Sequence, residues 1–471
     1  MSDSLSSSGT SRFTPSIIQS FAARVQGRVI QPGHAGYDEA RTVWNAMIDR
    51  RPGLVLHCAT PGDVQHAVRI AAEHDLFVAV KGGGHNIAGL GTCDAGLLID
   101  LSGMKGITVD PSARTAEVEP GVTLGELDAA TQAHGLAVPV GVNSTTGVAG
   151  LTLGGCFGWI SRAFGLTVDS LLWVDIVLAD GTTVRASNAD RPDLFWAIRG
   201  GGGNFGIVTR FAYRLHPVGP QVLAGLVVHP FDQARDVLNH MRECAADAPR
   251  ELTTWAVIRK APPLPFLPAS WHGREIIALA MAYAGDIAEG ERAAAPLRGF
   301  GQPIADIVGP TPFTGWQQAL DPLLTPGARN YWKSHNFKTV SDGLRDTLID
   351  FGGRLPSDET EIFLGQLGGA VNDVADDATA YGSRDAEFIV NVHGRWRAAG
   401  DDQRVVQWAR GLYDAMTPHA IGTAYVNFLT ADETGRVEAS YGKNYARLKQ
   451  LKAKFDPKNL FKGNQNIAAG T

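Results

Sequence analysis

Short apolar runs broken by glycine-rich turns pattern the first half of the chain. Leu54-Val55-Leu56 is a strand-like run, Thr60 offers a helix N-cap with Pro61 at the first helical position, and Val64, Ala67, Val68 and Ala71 recur at helical spacing. Phe77-Val78-Ala79-Val80 then reads as a buried strand, and it runs into Lys81-Gly82-Gly83-Gly84-His85-Asn86. Three glycines at a strand end let the backbone turn and come close to another group, and consecutive N–H groups there can cradle a phosphate. Strand-like runs follow at Leu97 to Leu101, Ile107 to Asp110 and Thr115 to Glu119, with a helix starting at Thr123. This alternation predicts an α+β domain.

The run from Gly201 to Gly206 contains the GxGxxG spacing of dinucleotide-binding folds. That motif needs a strand before it and a helix after it. Here Pro192 to Arg199 is helix-like and Ile207 to Leu215 is strand-like, the reverse order, so a Rossmann unit is excluded. Beyond Pro217, strand-like Val222 to Val228 and Ile276 to Tyr283 alternate with helix-like Ile287 to Ala295 and Gln403 to Met416, which predicts a second α+β domain with a surface loop at Pro262 to Pro268. Period-two alternation groups Ile389, Asn391 and His393 on one face of a strand from Glu387 to Trp396. On a strand from Glu361 to Leu367 it sets Glu361, Phe363 and Gly365 against Ile362, Leu364 and Gln366. Tyr425 and Asn427 are expected to share a face of a further strand.

Composition narrows the class. With 471 residues, 44% hydrophobic and 19% charged, the chain is ordinary globular material, long enough for two or three cores. A net charge of −6 argues against a nucleic-acid partner and leaves a small molecule as the expected one. Cys58, Cys93, Cys156 and Cys244 show no metal-ligand spacing and read as buried thiols. The serine-rich start, Met1 to Ser16, lacks the charged and apolar regions of a secretory signal, and no apolar run reaches membrane-spanning length. A cytoplasmic protein without a membrane partner, a metal or disulfides is expected.

Gly147-Val148-Ala149-Gly150, then Gly154-Gly155-Cys156-Phe157-Gly158-Trp159, then Arg199-Gly200-Gly201-Gly202-Gly203-Asn204-Phe205-Gly206-Ile207-Val208 follow one another. The chain ends with Tyr425-Val426-Asn427-Phe428, Tyr441-Gly442-Lys443-Asn444-Tyr445, Phe455-Asp456-Pro457-Lys458-Asn459-Leu460-Phe461 and Asn464-Gln465-Asn466. In these segments it resembles the FAD-linked oxidases of the vanillyl-alcohol oxidase and p-cresol methylhydroxylase superfamily, berberine-bridge-enzyme-like branch. The resemblance implies a PCMH-type two-part FAD-binding domain over residues 1–217. It implies a substrate domain with an antiparallel sheet covering the flavin over 218–418, and a segment over 419–471 that returns to the FAD domain. Flavin contacts are then expected from Lys81, Gly82, Gly83, Gly84, His85, Asn86, Thr145, Gly147, Gly150, Gly154, Phe157, Gly158, Gly206, Val208, Asn427 and Asn464.

The same resemblance makes His85 the covalent 8α-histidyl anchor of FAD. It places the family's second, cysteinyl anchor at Asn143, so a single linkage is expected and Cys156 is a packing residue. Thr146 stands where relatives govern oxygen access, and a small side chain there favours an oxidase. Oxidising an alcohol by hydride transfer also needs a base for the hydroxyl proton. The positions of the family's usual bases fall on Ile389 and Phe428, neither of which can serve. Tyr425, His393, Asn391 and Gln366 are the candidates for substrate handling. The resemblance implies an oxidase that passes hydride from an alcohol or amine carbon to flavin and electrons to O2, giving H2O2. A tailoring flavoenzyme of secondary metabolism and a non-catalytic flavin-binding protein remain alternatives.

Overall fold

The computed structural model describes residues 13–468; the serine-rich start through residue 12 lies outside the described residues. Strands Leu54–His57, Leu97–Asp100 and Val78–Lys81 pair in parallel, with Arg28–Ile30 antiparallel at the edge. The crossover helix Pro61–Glu73 starts where expected, because Thr60 and Asp63 form a reciprocal capping box. Phe77 falls outside its expected strand and is exposed. A second sheet is antiparallel, in the order Ile107–Asp110, Thr115–Val118, Ile207–Arg214, Leu171–Val177, Thr183–Ser187. Helix Pro192–Ile198 precedes the glycine run and strand Ile207–Arg214 follows it, the order that excludes a Rossmann unit.

The largest sheet is antiparallel and draws its strands from the middle of the chain. Its main path runs Ala305–Asp306, Gln221–Pro230, Glu275–Tyr283, Leu252–Lys260, Glu361–Gln366, Phe388–Trp396, Arg329–Phe337, and Gly309–Pro312 also pairs with Gln221–Pro230. One face carries Ala256, Ile258, Ile362, Leu364, Val390 and Val392, and it packs beneath helices Ala234–Asp247, Asp342–Gly352 and Asp402–Met416 in one core. The other face sends Ala224, Trp255, Ala280, Ala282 and Ile389 into a separate core shared with the glycine-rich segments. Strand period is two, so the split between the two faces is strict.

That split corrects one candidate. Gln366 lies in phase with Ile362 and Leu364, and its side chain is spent on the helix-covered side, where Nε2 donates to the Ala245 carbonyl at 3.4 Å and Oε1 accepts from the Thr254 amide at 3.3 Å. A second correction concerns Tyr425 and Asn427. Tyr425 caps a short 3₁₀ turn, Val426–Phe428, and Asn427 lies inside it, so neither is on a strand. No helix among the described residues is long and apolar enough to cross a membrane. Cys58, Cys93 and Cys156 are buried, while Cys244 is half-buried with its Sγ 3.4 Å from His240 Nε2.

Candidate active site

Where strand Val78–Lys81 ends, the chain turns through Gly82–Gly84 against the Thr145–Gly150 segment and forms one wall of a cavity of about 370 Å3. Glycine is required at the contact. A Cβ on Gly83 would lie 2.6 Å from Gly147 Cα, and one on Gly147 would lie 2.7 Å from Gly83 Cα. Lys81 does not aim its ammonium at the cavity: Nζ meets Asp100 Oδ2 at 3.1 Å and donates to the Ala40 carbonyl, bracing the loop from behind. Asn86 likewise serves the loop, its Oδ1 accepting from the amides of Ala88 and Leu90, both at 3.1 Å.

His85 stands on this wall between two hydroxyls. Thr145 Oγ1 lies 3.0 Å from Nε2 and Thr146 Oγ1 lies 3.3 Å from Nδ1, while the Trp44 ring stacks on the imidazole with centroids 5.2 Å apart. The hydrogen-bond directions fix the tautomer. Asn143 Oδ1 accepts from the Thr145 amide at 3.1 Å, which identifies that atom as the amide oxygen, and it also accepts the Thr145 hydroxyl proton at 2.7 Å. Thr145 Oγ1 has then used its one proton and accepts from His85 Nε2–H. The lone pair of the ring is left on Nδ1. Burial holds the imidazole down at about 4, so it is neutral at physiological pH.

The far end of the cavity is aromatic with a polar floor. Trp332 packs edge-on against His393 at 4.5 Å and Phe428 at 5.4 Å, and Phe363 packs edge-on against Trp255 at 4.7 Å. Asn391, His393 and Glu361 lie on this floor, and Glu361 is the sole carboxylate among the described residues lining the cavity. His393 Nδ1 meets Glu361 Oε1 at 3.0 Å, and Arg259 Nη1 meets Glu361 Oε2 at 2.8 Å. Burial works to raise the Glu361 carboxyl, but the Arg259 charge and the His393 hydrogen bond outweigh it and hold it at about 2. Burial lowers the His393 imidazole, and the bond to Glu361 counters it.

Tyr425 lines the cavity through the turn that carries it. Asn427 Nδ2 donates to its hydroxyl at 2.8 Å, and burial pushes the phenol well above its ordinary value, so it stays protonated. The end of the chain closes the glycine-loop side. Asn204, fully buried, donates to the carbonyls of Gly201 and Gln465 at 2.9 and 3.1 Å and accepts the Ile467 amide at 2.9 Å. Lys452, paired with Asp456 at 2.7 Å, donates to the Asn204 carbonyl at 2.8 Å and reinforces the junction.

The structure thus gathers His85, Thr146, Gly147, Gly150, Phe157, Gly206, Val208, Asn391, His393, Tyr425, Asn427 and Asn464 around one cavity. Gln366 lies outside it. So does Gly158, whose missing Cβ instead makes room for the Val140 carbonyl, and Gly154, whose missing Cβ admits the Asn427 side chain. Thr145 is exposed and off the lining, and reaches His85 Nε2 through its hydroxyl. Of the two positions where a base was sought, Phe428 faces the cavity, and Ile389 is fully buried behind it. Sequence reasoning did not single out Glu361, Trp44, Trp332, Phe363 or Asn204 for this site. Period-two grouping had already put Glu361 in phase with Phe363; which phase faces the cavity needed the neighbouring layer.

Comparison with known proteins agrees with this architecture. Residues 52–187 match an FAD binding domain, and residues 424–468 match the family described as berberine and berberine like. An FAD-linked oxidoreductase of Dictyostelium discoideum is 32% identical over 96% of this chain and 96% of its own. The (R)-6-hydroxynicotine oxidase of Paenarthrobacter nicotinovorans is 27% identical over 94% of this chain and 97% of its own. The crystal structure of 6-hydroxy-D-nicotine oxidase from Arthrobacter nicotinovorans superposes with a TM-score of 0.85 at 25% identity, over 95% of this chain and 98% of that one. These likenesses extend from the glycine loops to the C-terminal segment that together build the cavity, and the chain belongs to the FAD-linked oxidoreductases of the berberine-bridge-enzyme-like family.

Proposed function

We propose that this protein is an FAD-dependent oxidase carrying its cofactor on His85 and oxidising an alcohol or amine carbon of a small organic molecule. The observation that carries the reading is the Asn143–Thr145–His85 chain, which leaves a neutral imidazole with its lone pair on Nδ1 in the cavity wall. A nucleophilic ring nitrogen is what a histidyl linkage requires.

The residues present suit FAD on independent grounds. Side chains are missing where the Gly83 and Gly147 backbones meet, which keeps that wall thin and its amides close to the cavity. Asn464 Oδ1, on the same lining, is buried without a partner among the described residues, as expected of a group that serves a ligand. The working division is an FAD part over 1–217, a substrate part over 218–418 and a returning segment over 419–471, and the cavity takes lining residues from all three.

When bound, FAD supplies the hydride acceptor and passes electrons to O2 with release of H2O2. The chain's own part is orientation and exclusion of water. Gly82–Gly84 and Gly147–Gly150 hold one side, Tyr425 and Phe157 pack edge to face at 5.4 Å beside it, and Trp332, Phe363 and Phe428 form an apolar chamber in which a substrate loses water. Thr146, beside His85 on the lining, leaves room for oxygen to approach. Acid-precipitated protein should stay yellow, and proteolysis should place the flavin mass on the His85 peptide; free FAD in the supernatant overturns the linkage. Substrate-dependent bleaching of the flavin band, followed by H2O2 in air, separates an oxidase from a carrier without turnover.

A further inference from the structure

Glu361 and Asn391 occupy neighbouring strands on the cavity face. Glu361 pairs directly with His393 and Phe363 with Asn391, so Glu361 and Asn391 are diagonal neighbours, a spacing of about 7–8 Å along the backbone. Among the described residues Asn391 has no side-chain hydrogen-bond partner: Oδ1 is buried and unpaired, which leaves Nδ2 as the amide atom open to the cavity. A buried side-chain amide with an unpaired atom on the lining of a ligand-sized cavity is a group available to a ligand.

The charge of Glu361 decides which ligand. Arg259 Nη1 holds Glu361 Oε2 at 2.8 Å, so the guanidinium charge balances the carboxylate. His393 Nδ1 meets Glu361 Oε1 at 3.0 Å, and Asn330 Oδ1, which accepts from Arg395 Nη1 at 3.4 Å, lies 3.2 Å from His393 Nε2. The sole carboxylate of the lining thus offers lone pairs without net negative charge.

We propose that Glu361 and Asn391 recognise a neutral hydroxyl on a flat, apolar substrate, the hydroxyl donating to the carboxylate and accepting from Asn391 Nδ2, and that the protonated amine of the same shape is rejected. The proposal narrows the oxidase reading to alcohols and phenols, and rests on that reading for the chemistry but not for the binding. Trp332 and Phe363 supply the walls for the flat body, and an ammonium group here loses its water without gaining a counter-charge.

Calorimetric titration of the purified holoprotein at neutral pH with benzyl alcohol and with benzylammonium tests it. The alcohol should bind at least about tenfold more tightly, Asn391→Ala should weaken the alcohol about tenfold while leaving the amine nearly unchanged, and Asn391→Asp, which adds an uncompensated charge, should shift preference toward the amine. Equal or tighter binding of the amine, an Asn391→Ala variant that binds the alcohol as before, or no binding of the alcohol at roughly tens of millimolar each overturns the proposal. The flavin spectrum of the same sample keeps the two readings apart. Protein that prefers the alcohol but holds no flavin refutes the oxidase alone, and a yellow protein that prefers the amine refutes hydroxyl recognition alone.

Discussion

Gly83 and Gly147 touch backbone to backbone, so that a Cβ on either would overlap the amide nitrogen of the other. Two loops far apart in sequence are locked together at the wall that carries His85. Neither main chain can retreat, because Gly147 precedes helix Val148–Leu153 and Gly83 follows strand Val78–Lys81. Gly83→Ala and Gly147→Ala should each destabilise the fold by about 3 kcal/mol and lose flavin on purification. Thermal melting and the ratio of flavin to protein absorbance check both, and a variant with normal melting and full flavin refutes the contact.

His85→Ala should still bind FAD through the glycine walls but release it on acid precipitation. Thr145→Val keeps the shape and removes the hydroxyl that fixes Nε2–H. It should leave a fraction of the flavin unlinked while melting stays within about 1 kcal/mol of the parent. Nitrogen NMR of His85 in flavin-free protein reads the tautomer directly: proton on Nε2 in the parent, a mixture in Thr145→Val.

Thr146 lies on the lining beside His85. Thr146→Leu fills the space and should slow reoxidation of reduced enzyme by O2 at least about tenfold while anaerobic reduction by substrate changes little. Stopped-flow measurement of the two half-reactions, with an artificial dye as alternative acceptor, separates the effects. Equal loss in both would mean that Thr146 shapes the site and does not admit oxygen.

Cys156 holds a left-handed backbone with φ of +60° and is buried, and burial pushes its thiol up to about 12. Such a thiol is scarcely ionised and is a poor nucleophile. Cys156→Gly removes the backbone strain and a little packing, so stability should change by no more than about 1 kcal/mol, with flavin retention and spectrum preserved. Flavin mass on the Cys156 peptide of the parent would contradict this.

Asp128 on helix Leu124–Gln132 is buried against Gln317, whose Nε2 donates to Oδ2 at 3.1 Å. Burial pushes its carboxyl up to about 7 from an ordinary 3.8, and the Gln317 hydrogen bond only partly opposes it. The folded state therefore binds the proton more tightly than the unfolded chain. The contribution is complete below about pH 4, is lost as pH rises to about 7 and is flat above, for a total of about 4 kcal/mol. Asp128→Asn keeps the donor's partner and removes the charge, so it should melt higher than the parent at about pH 8 and nearly equal to it at about pH 4. Parallel pH profiles for the two proteins would show that Asp128 does not carry this dependence.

Local order was legible in the chain itself. Thr60 with Pro61, Thr123, the Gly82–Gly84 turn and the reversed order around Gly201–Gly206 depend on neighbours within a few residues, and each element lies where the pattern put it. His85 was legible for the same reason, since the turn that exposes it is local. What periodicity leaves open is the sign of a strand's two faces, because the alternation of Glu361 and Phe363 with Ile362 and Leu364 is identical whichever side is covered. Helices Asp342–Gly352 and Asp402–Met416, packed on the Ile362 side, decided it, and they turned Gln366 away while bringing Glu361 to the cavity. Residues remote in sequence escaped for a related reason. Trp44 reaches His85, and Asn330 and Arg395 reach His393, only because strands Arg329–Phe337 and Phe388–Trp396 pair in one register and the early loop lies against them. The chain alone determined which segments turn, extend and approach; the long-range packing of sheet against helix decided which side chains meet, because that choice is made by burial of whole faces and not by any local spacing.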